Sequence, residues 1–203
     1  METVQGPSKR QLIVESAAEV FARSGYATTR VADIAVAAGI GKGTVYEYFS
    51  SKEELFFAVF EWFEEQIRRR VDGPLAEPGT ACQQLRAILA ASAGIVVEHR
   101  ALVSINLDFW SASRGSASED RFTDACRSAY RDYRGILSQV IRRGQRDGEF
   151  RADLEPEGVA TLIVSALDGL GVQHWIDGSI DPRSAVESFA DALCDGLCRR
   201  QQQ

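Results

Sequence analysis

The sequence predicts an all-α protein. Apolar residues recur at helical spacing from Leu12 to Leu197, and no stretch shows the alternation of a half-buried strand. One segment with two Pro and two Gly, Val71 to Thr80, divides the chain into a short N-terminal and a longer C-terminal set of helices. With 203 residues, 45% of them hydrophobic, the chain can form one domain, or a small one joined to a larger one. It can bury its core without disulfide or metal staples.

Met1 to Ser8 reads as a mobile arm. Leu12, Ile13, Ser16, Ala17, Val20 and Phe21 form the stripe of a first helix that stops at Gly25. Lys9 and Arg10 open it, as phosphate contacts or as solvated charge. Thr28 and Thr29 offer hydroxyls as helix caps, phosphate contacts or both, and Arg30 is placed for a phosphate or a groove edge. In the second helix Val31, Ile34, Ala35 and Ala38 share one face. Gly39 follows, where a helix ends most easily with positive φ. The third helix has only Val45 and Phe49 on its inner side, leaving Lys42, Gly43, Thr44, Tyr46, Glu47 and Tyr48 for the other surfaces. Such a helix suits the major groove of DNA, with Lys42, Gly43 and Thr44 at base edges and Tyr46, Tyr48, Lys52 and Thr29 on phosphates. A packing unit with a solvated polar face accounts for the same pattern. Ser51 and Glu54 make an S-x-x-E capping box, so Lys52 stands beside a helix N-terminus, where phosphate is favoured. The helix it opens is expected to run to about Arg70. Its apolar residues, from Leu55 to Ile67, cover more than one stripe, so it is buried on two sides.

Gly25-Tyr26-Ala27-Thr28-Thr29, Asp33-Ile34-Ala35, Ala38-Gly39-Ile40, Lys42-Gly43-Thr44-Val45-Tyr46, Tyr48-Phe49 and Ser51-Lys52-Glu53-Glu54-Leu55 together resemble the DNA-binding domain of the TetR (tetracycline-repressor-like) family of transcriptional regulators. The resemblance covers Lys9 to Arg70. It implies a DNA-binding domain over residues 9–70, with its helix-turn-helix at about 33–52, and a regulatory, ligand-binding and dimerisation domain over residues 71–203. It also implies a repressor released from DNA by a small-molecule inducer. Two positions depart from the family pattern. Gly41 stands where Ser or Thr is common, at a cost of a few tenths of a kcal/mol in capping. Ala32 replaces a basic or polar residue, which removes a DNA contact there.

In the C-terminal part, Leu85 to Val96, Leu102 to Trp110 and Phe122 to Val140 make three further helices, with a Ser/Gly loop at Ser113 to Ser118. Pro156 to Ile176 is apolar almost all round, which suits one face in the core and another against a partner chain. The last helix runs from Pro182 to Arg199. Together these two helices are expected to form a four-helix homodimer interface, through Leu162, Ala166, Leu170, Val186, Phe189, Leu193 and Leu197; a wider monomer core is the alternative. Trp62, Phe63, His99, Asn106, Phe109, Trp110, Tyr130, Tyr133, His174 and Trp175 supply aromatic walls and a few polar groups, the make-up of a small-molecule pocket and equally of a helical core.

The net charge of −6 is unevenly spread. Residues 1–52 hold six Lys or Arg against five Asp or Glu, and the remainder holds 17 against 24, so the acidity belongs to the part that need not touch DNA. No apolar run is read as approaching a membrane span and no signal peptide is read at the start, so the expected location is the cytoplasm, off the membrane. Cys82, Cys126, Cys194 and Cys198 are expected to be reduced thiols; Cys194 and Cys198, four residues apart, leave a redox or metal pair as the alternative. His99 and His174 lie in no ligand spacing, and no catalytic motif occurs, so neither a metal, a cofactor nor an enzymatic activity is expected. The competing function is a helical adaptor or small-molecule carrier that never binds DNA.

Overall fold

A computed structural model gives the fold of residues 8–115 and 117–198. These residues form α1 (Lys9–Ser24), α2 (Val31–Ala37), α3 (Lys42–Tyr48), α4 (Lys52–Ala76), α5 (Ala81–Glu98), α6 (Ala101–Ser113), α7 (Ala117–Arg146), α8 (Pro156–Ile176) and α9 (Pro182–Leu197). Among them the nearest thing to a strand is one antiparallel bridge between Phe150 and Cys198. Of the N-terminal arm, Met1 to Pro7 lie outside the described residues; Ser8 caps α1, its hydroxyl accepting the Gln11 N–H at 3.2 Å.

The chain packs as two compact units. The first joins the residues up to Glu65 with residues 101–123, and the second joins residues 66–100 with those from Asp124 onward. This differs from the contiguous division at residue 70. The reason is aromatic: Phe109 of α6 stacks on Phe56 of α4 with ring centroids 3.6 Å apart and planes 4° from parallel. Phe122, at the start of α7, meets Phe109 edge-on at 5.2 Å. Phe21 and Tyr26 close the cluster against Phe56. Six consecutive α4 residues, Leu55 to Phe60, are buried, as its all-round apolar pattern requires.

α4 does not stop at Arg70. It continues through Pro74 to Ala76. Proline there removes one donor and strains the turn before it. Val71, buried in the second unit, and Leu75, packed against the same cluster, hold the turn in place through burial that the local sequence does not announce. α5 then starts from a reciprocal box in which Thr80 Oγ1 accepts the Gln83 N–H and Gln83 Oε1 accepts the Thr80 N–H.

The second unit is built on Leu85, Leu89, Ile141, Phe150, Ile163, Val186 and Leu197, all with their side chains withdrawn from water. α7 ends at Arg146, and the turn after it passes through Gly148, whose φ of 77° lies in the left-handed region. The chain then folds Phe150 back so that its ring rests on the bare Cα of Gly144. The Phe150 N–H donates to Gly144 O at 3.0 Å, and the Arg151 N–H to Leu197 O at 2.9 Å.

The 21 residues of α8 are long and apolar enough to cross a membrane by length and composition alone, a test that the core helix of a soluble protein also passes. Ala160, Ile163, Val164 and Gly171 turn into the core of the second unit, while Leu162 is 71% exposed and Ile176 equally so. Val186 and Leu197, expected at a dimer interface, instead fill the core, and Phe189 and Leu193 pack against it. On α9 the large apolar side chains are consumed by the α5–α9 packing, and Ala185, Ala192 and Gly196 are left at the surface.

Candidate nucleic-acid interface and regulatory unit

The α2–turn–α3 hairpin is fixed from beneath by few side chains. Val31, Ile34 and Ala35 of α2, Ala38, Val45 of α3 and Phe49 are buried. Gly39, at φ 65°, reverses the chain; the Ile40 N–H donates to Ala35 O at 3.0 Å, closing the end of α2. Gly41 is the N-cap of α3 and offers no side-chain bond, so the first turn relies on Thr44 and Val45 N–H groups donating to Gly41 O. The outward face of α3 then carries Lys42, Gly43 and half-buried Thr44, with Tyr46 45% and Tyr48 41% exposed. Lys42 Nζ lies 5.6 Å from the centre of the Tyr46 ring, which orients the cation along the helix. Arg30 is exposed at the start of α2, where its N–H donates to Asp33 Oδ2 at 3.1 Å.

Two expected phosphate contacts are corrected. Lys52 Nζ donates to Tyr26 O, Ala27 O and Thr29 O at 2.9, 3.2 and 3.0 Å, which accounts for all three of its N–H groups. It also lies 4.5 Å from the centre of the Tyr26 ring, and partial burial pulls its pKa down. It ties the α1–α2 connection to α4 rather than reaching outward. Thr29 is buried and its hydroxyl donates to Gly25 O at 2.7 Å. Thr28 is exposed, but its hydroxyl donates to Ser24 O. The expected capping box at Ser51 is only half formed. Ser51 Oγ accepts the Glu54 N–H at 3.0 Å, but the Glu54 carboxylate takes the N–H and the hydroxyl of Ser50. These bonds hold its pKa down. Gly25, where the sequence ends the first helix, is at φ 77° in the left-handed region, and its contact with α6 is the part the sequence does not show: a Cβ there would lie 2.6 Å from Asp108 Oδ2.

The candidate ligand-pocket residues fall into both units. Trp62, Phe63, Asn106, Phe109 and Trp110 belong to the first, and His99, Tyr130, Tyr133, His174 and Trp175 to the second. Phe109 is 1% exposed and stacked in the aromatic core, so it is a core residue and not a pocket wall. Trp110, one residue on, is 53% exposed. In the second unit His174 Nδ1 lies 2.9 Å from Ile180 O, which anchors the ring to the α8–α9 connection. Asp168 of α8, absent from the sequence-derived candidates, is exposed but crowded by neighbouring protein atoms that raise its carboxyl pKa, opposed by a hydrogen bond from Tyr130. A carboxylate on an otherwise apolar helix is the signal that points to it. Among the described residues no group of three His, Cys, Asp or Glu is arranged to hold a metal ion. Cys194 is buried, its thiol pushed up to about 12 chiefly by burial and then by the neighbouring Cys82.

Comparison with known proteins divides the chain contiguously, with residues 101–123 in the C-terminal match. Residues 13–59 match the family model described as "Bacterial regulatory proteins, tetR family", and residues 81–199 match "BetI-type transcriptional repressor, C-terminal". The chain is 30% identical over 165 residues to the HTH-type transcriptional repressor KstR2 of Mycobacterium tuberculosis, covering 80% of each chain. It is 26% identical over 192 residues to the fatty acid metabolism regulator protein of Bacillus subtilis, covering 93% of this chain and 95% of that one. In fold it is similar to the crystal structure of the transcriptional regulator FadR from Bacillus subtilis in complex with stearoyl-CoA. The TM-score is 0.75 at 22% identity, over 92% of this chain and 98% of that one.

Proposed function

This chain belongs to the TetR family of bacterial regulatory proteins and is a DNA-binding transcriptional repressor, and from that premise we propose that it acts in the cytoplasm as a homodimer, released from a two-fold symmetric operator by a small-molecule ligand. The observation that carries the DNA reading is the outward face of α3, polar and aromatic on a two-residue apolar anchor. Two such helices in a dimer meet successive major grooves, roughly 34–36 Å apart or a multiple of that. Selection from random duplexes with the purified protein is expected to enrich a two-fold symmetric site. A pool without symmetry would overturn the reading in favour of an adaptor or carrier.

Lys42, Gly43 and Thr44 are assigned to base edges, and Arg30, Tyr46 and Tyr48 to phosphates, with Thr28 at the margin of the interface. Arg30→Ala is expected to weaken all duplexes alike and to lower the log–log salt slope by about 0.9 for each phosphate that is no longer neutralised. Thr44→Ala is expected to lose discrimination at particular base pairs, at about 1–3 kcal/mol, with the salt slope unchanged. Filter binding at several salt concentrations separates the two.

The dimer is assigned to the exposed stripe Leu162, Ala166 and Ile176 of α8, with Leu170 at its margin and the small surface residues of α9 beside it. Leu162→Glu is expected to raise the dimer dissociation constant at least a hundredfold, about 3 kcal/mol, with helicity retained. Sedimentation equilibrium reads this directly. Full dimerisation of the variant at micromolar concentration would move the interface elsewhere.

The effector is assigned to the second unit, among His99, Tyr130, Tyr133, His174 and Trp175. The names of the relatives and the stearoyl-CoA in the Bacillus structure support a ligand with substantial apolar surface. Release from DNA requires that the ligand favour one arrangement of the protein over another, and the coupling is reciprocal. Nothing in these residues assembles a reaction centre, and regulation rather than catalysis is the function assigned to them.

A further inference from the structure

Two guanidinium groups converge on one bare position of α5. At Gly94, itself buried, a first side-chain carbon would lie 3.4 Å from Arg70 Nη1, 3.8 Å from Arg183 Nη2 and 3.9 Å from Arg183 Nη1. Arg70 arrives from α4 and Arg183 from the first turn of α9. Like charges gathered at one place repel and call for an anion. The protein supplies one, Glu98, a turn further along α5. Its carboxylate pairs with Arg70, and Arg70, His99 and Arg183 all hold its pKa down. Arg183 makes no ion pair of its own among the described residues. Removal from water pushes the His99 pKa down, against Glu98, which pushes it up, and with Arg70, which pushes it down. Two guanidiniums against one carboxylate leave one positive charge uncompensated. The two cations rest at contact distance from the point where a side chain of residue 94 would begin.

We propose that Arg70 and Arg183, meeting over Gly94, form a seat for an oxyanion, the phosphate or carboxylate group of a small ligand. The planar guanidinium fork matches both groups with paired hydrogen bonds. Glu98 occupies Arg70 in the absence of ligand and competes with the incoming anion. The seat rests on geometry within the second unit alone and is independent of operator binding.

The test is calorimetric titration of the full chain, at constant ionic strength and without DNA, using inorganic pyrophosphate in one arm and acetate in the other. At least one is expected to bind saturably, and the arm that does so names the chemistry. Arg183→Gln is expected to weaken that binding at least tenfold. Glu98→Gln is expected to tighten it about threefold or more, by releasing Arg70, an effect that loss of structure cannot mimic. Arg151→Gln, at a guanidinium already paired with Asp153, is expected to change nothing. Circular dichroism melts confirm that each variant is folded. No saturable binding in either arm, unchanged binding by Arg183→Gln, or no tightening by Glu98→Gln would each overturn the seat.

Discussion

Phe109→Ala is expected to destabilise the first unit by about 3–5 kcal/mol. The ring is 1% exposed and is the hub of the aromatic cluster, stacked on Phe56 and edge-on to Tyr26, Phe57 and Phe122. Truncating a buried phenylalanine costs about 3–5 kcal/mol, through the transfer energy forgone and the cavity left behind. The aromatic pairs lost, each worth about 0.5–1.5 kcal/mol, place this site at the upper end of that range. The surrounding rings cannot all collapse into the gap, because the helices that carry them are fixed by other packing. A domain is stable by about 5–15 kcal/mol in total, so the loss takes much of the margin. Thermal denaturation followed by far-ultraviolet circular dichroism reads it, and operator affinity should fall in parallel because α3 depends on the same core. Leu107→Ala, two residues earlier at an exposed position, is the control and should move stability by less than about 0.5 kcal/mol. Equal melting of the Phe109 variant and wild type would mean that α6 does not pack on α4 through this ring.

Gly144→Ala and Gly135→Ala should have opposite signs, although both lie inside α7. Glycine to alanine in a helix interior stabilises by roughly 0.8–1.0 kcal/mol. At Gly135 a Cβ would meet nothing within 4 Å, so that gain should appear. At Gly144 the same carbon would overlap the Phe150 ring. The ring cannot withdraw: it is fully buried, and the backbone on either side is hydrogen-bonded, Phe150 N–H to Gly144 O and Arg151 N–H to Leu197 O. Overpacking of this kind costs about 1–3 kcal/mol, enough to reverse the helix gain. Urea denaturation of the two variants side by side gives the comparison. Stabilisation at both positions would refute the Phe150 packing.

Local signals carry the reading head. Gly39 ends α2 with positive φ as its position after the last apolar residue demands, and the sparse Val45 and Phe49 anchors turn the rest of α3 outward. What the sequence does not show is where a side chain with two uses spends itself. Lys52 has the same helix N-terminal position whether it reaches a phosphate or three carbonyls; only the fold of Tyr26 to Thr29 beside it decides. Thr29 is the same case in a hydroxyl. For α6, the apolar stripe of Ile105 and Phe109 is plain, but a stripe names no partner, and composition alone places Phe109 in a pocket when it belongs to the core beneath the reading head. On α8 and α9 the excess of apolar surface is legible. Its division between inside and outside is not, because Val186 and Leu162 look alike until α5 is laid against one of them.

The discontinuity of the first unit bears on how the chain is made. During synthesis α1 to α4 leave the ribosome early, yet the rings that complete their core, Phe109 and Phe122, follow about sixty residues later, which at 5–20 residues per second is a delay of roughly 3–12 s. Throughout it the Phe56 face of α4 stands without its stacking partner, while α5, which belongs to the other unit, emerges in between. The reading head therefore cannot be finished before the second unit has begun. A nascent chain halted near Arg100 would present an unpaired aromatic surface, the kind of exposed face that chaperones hold.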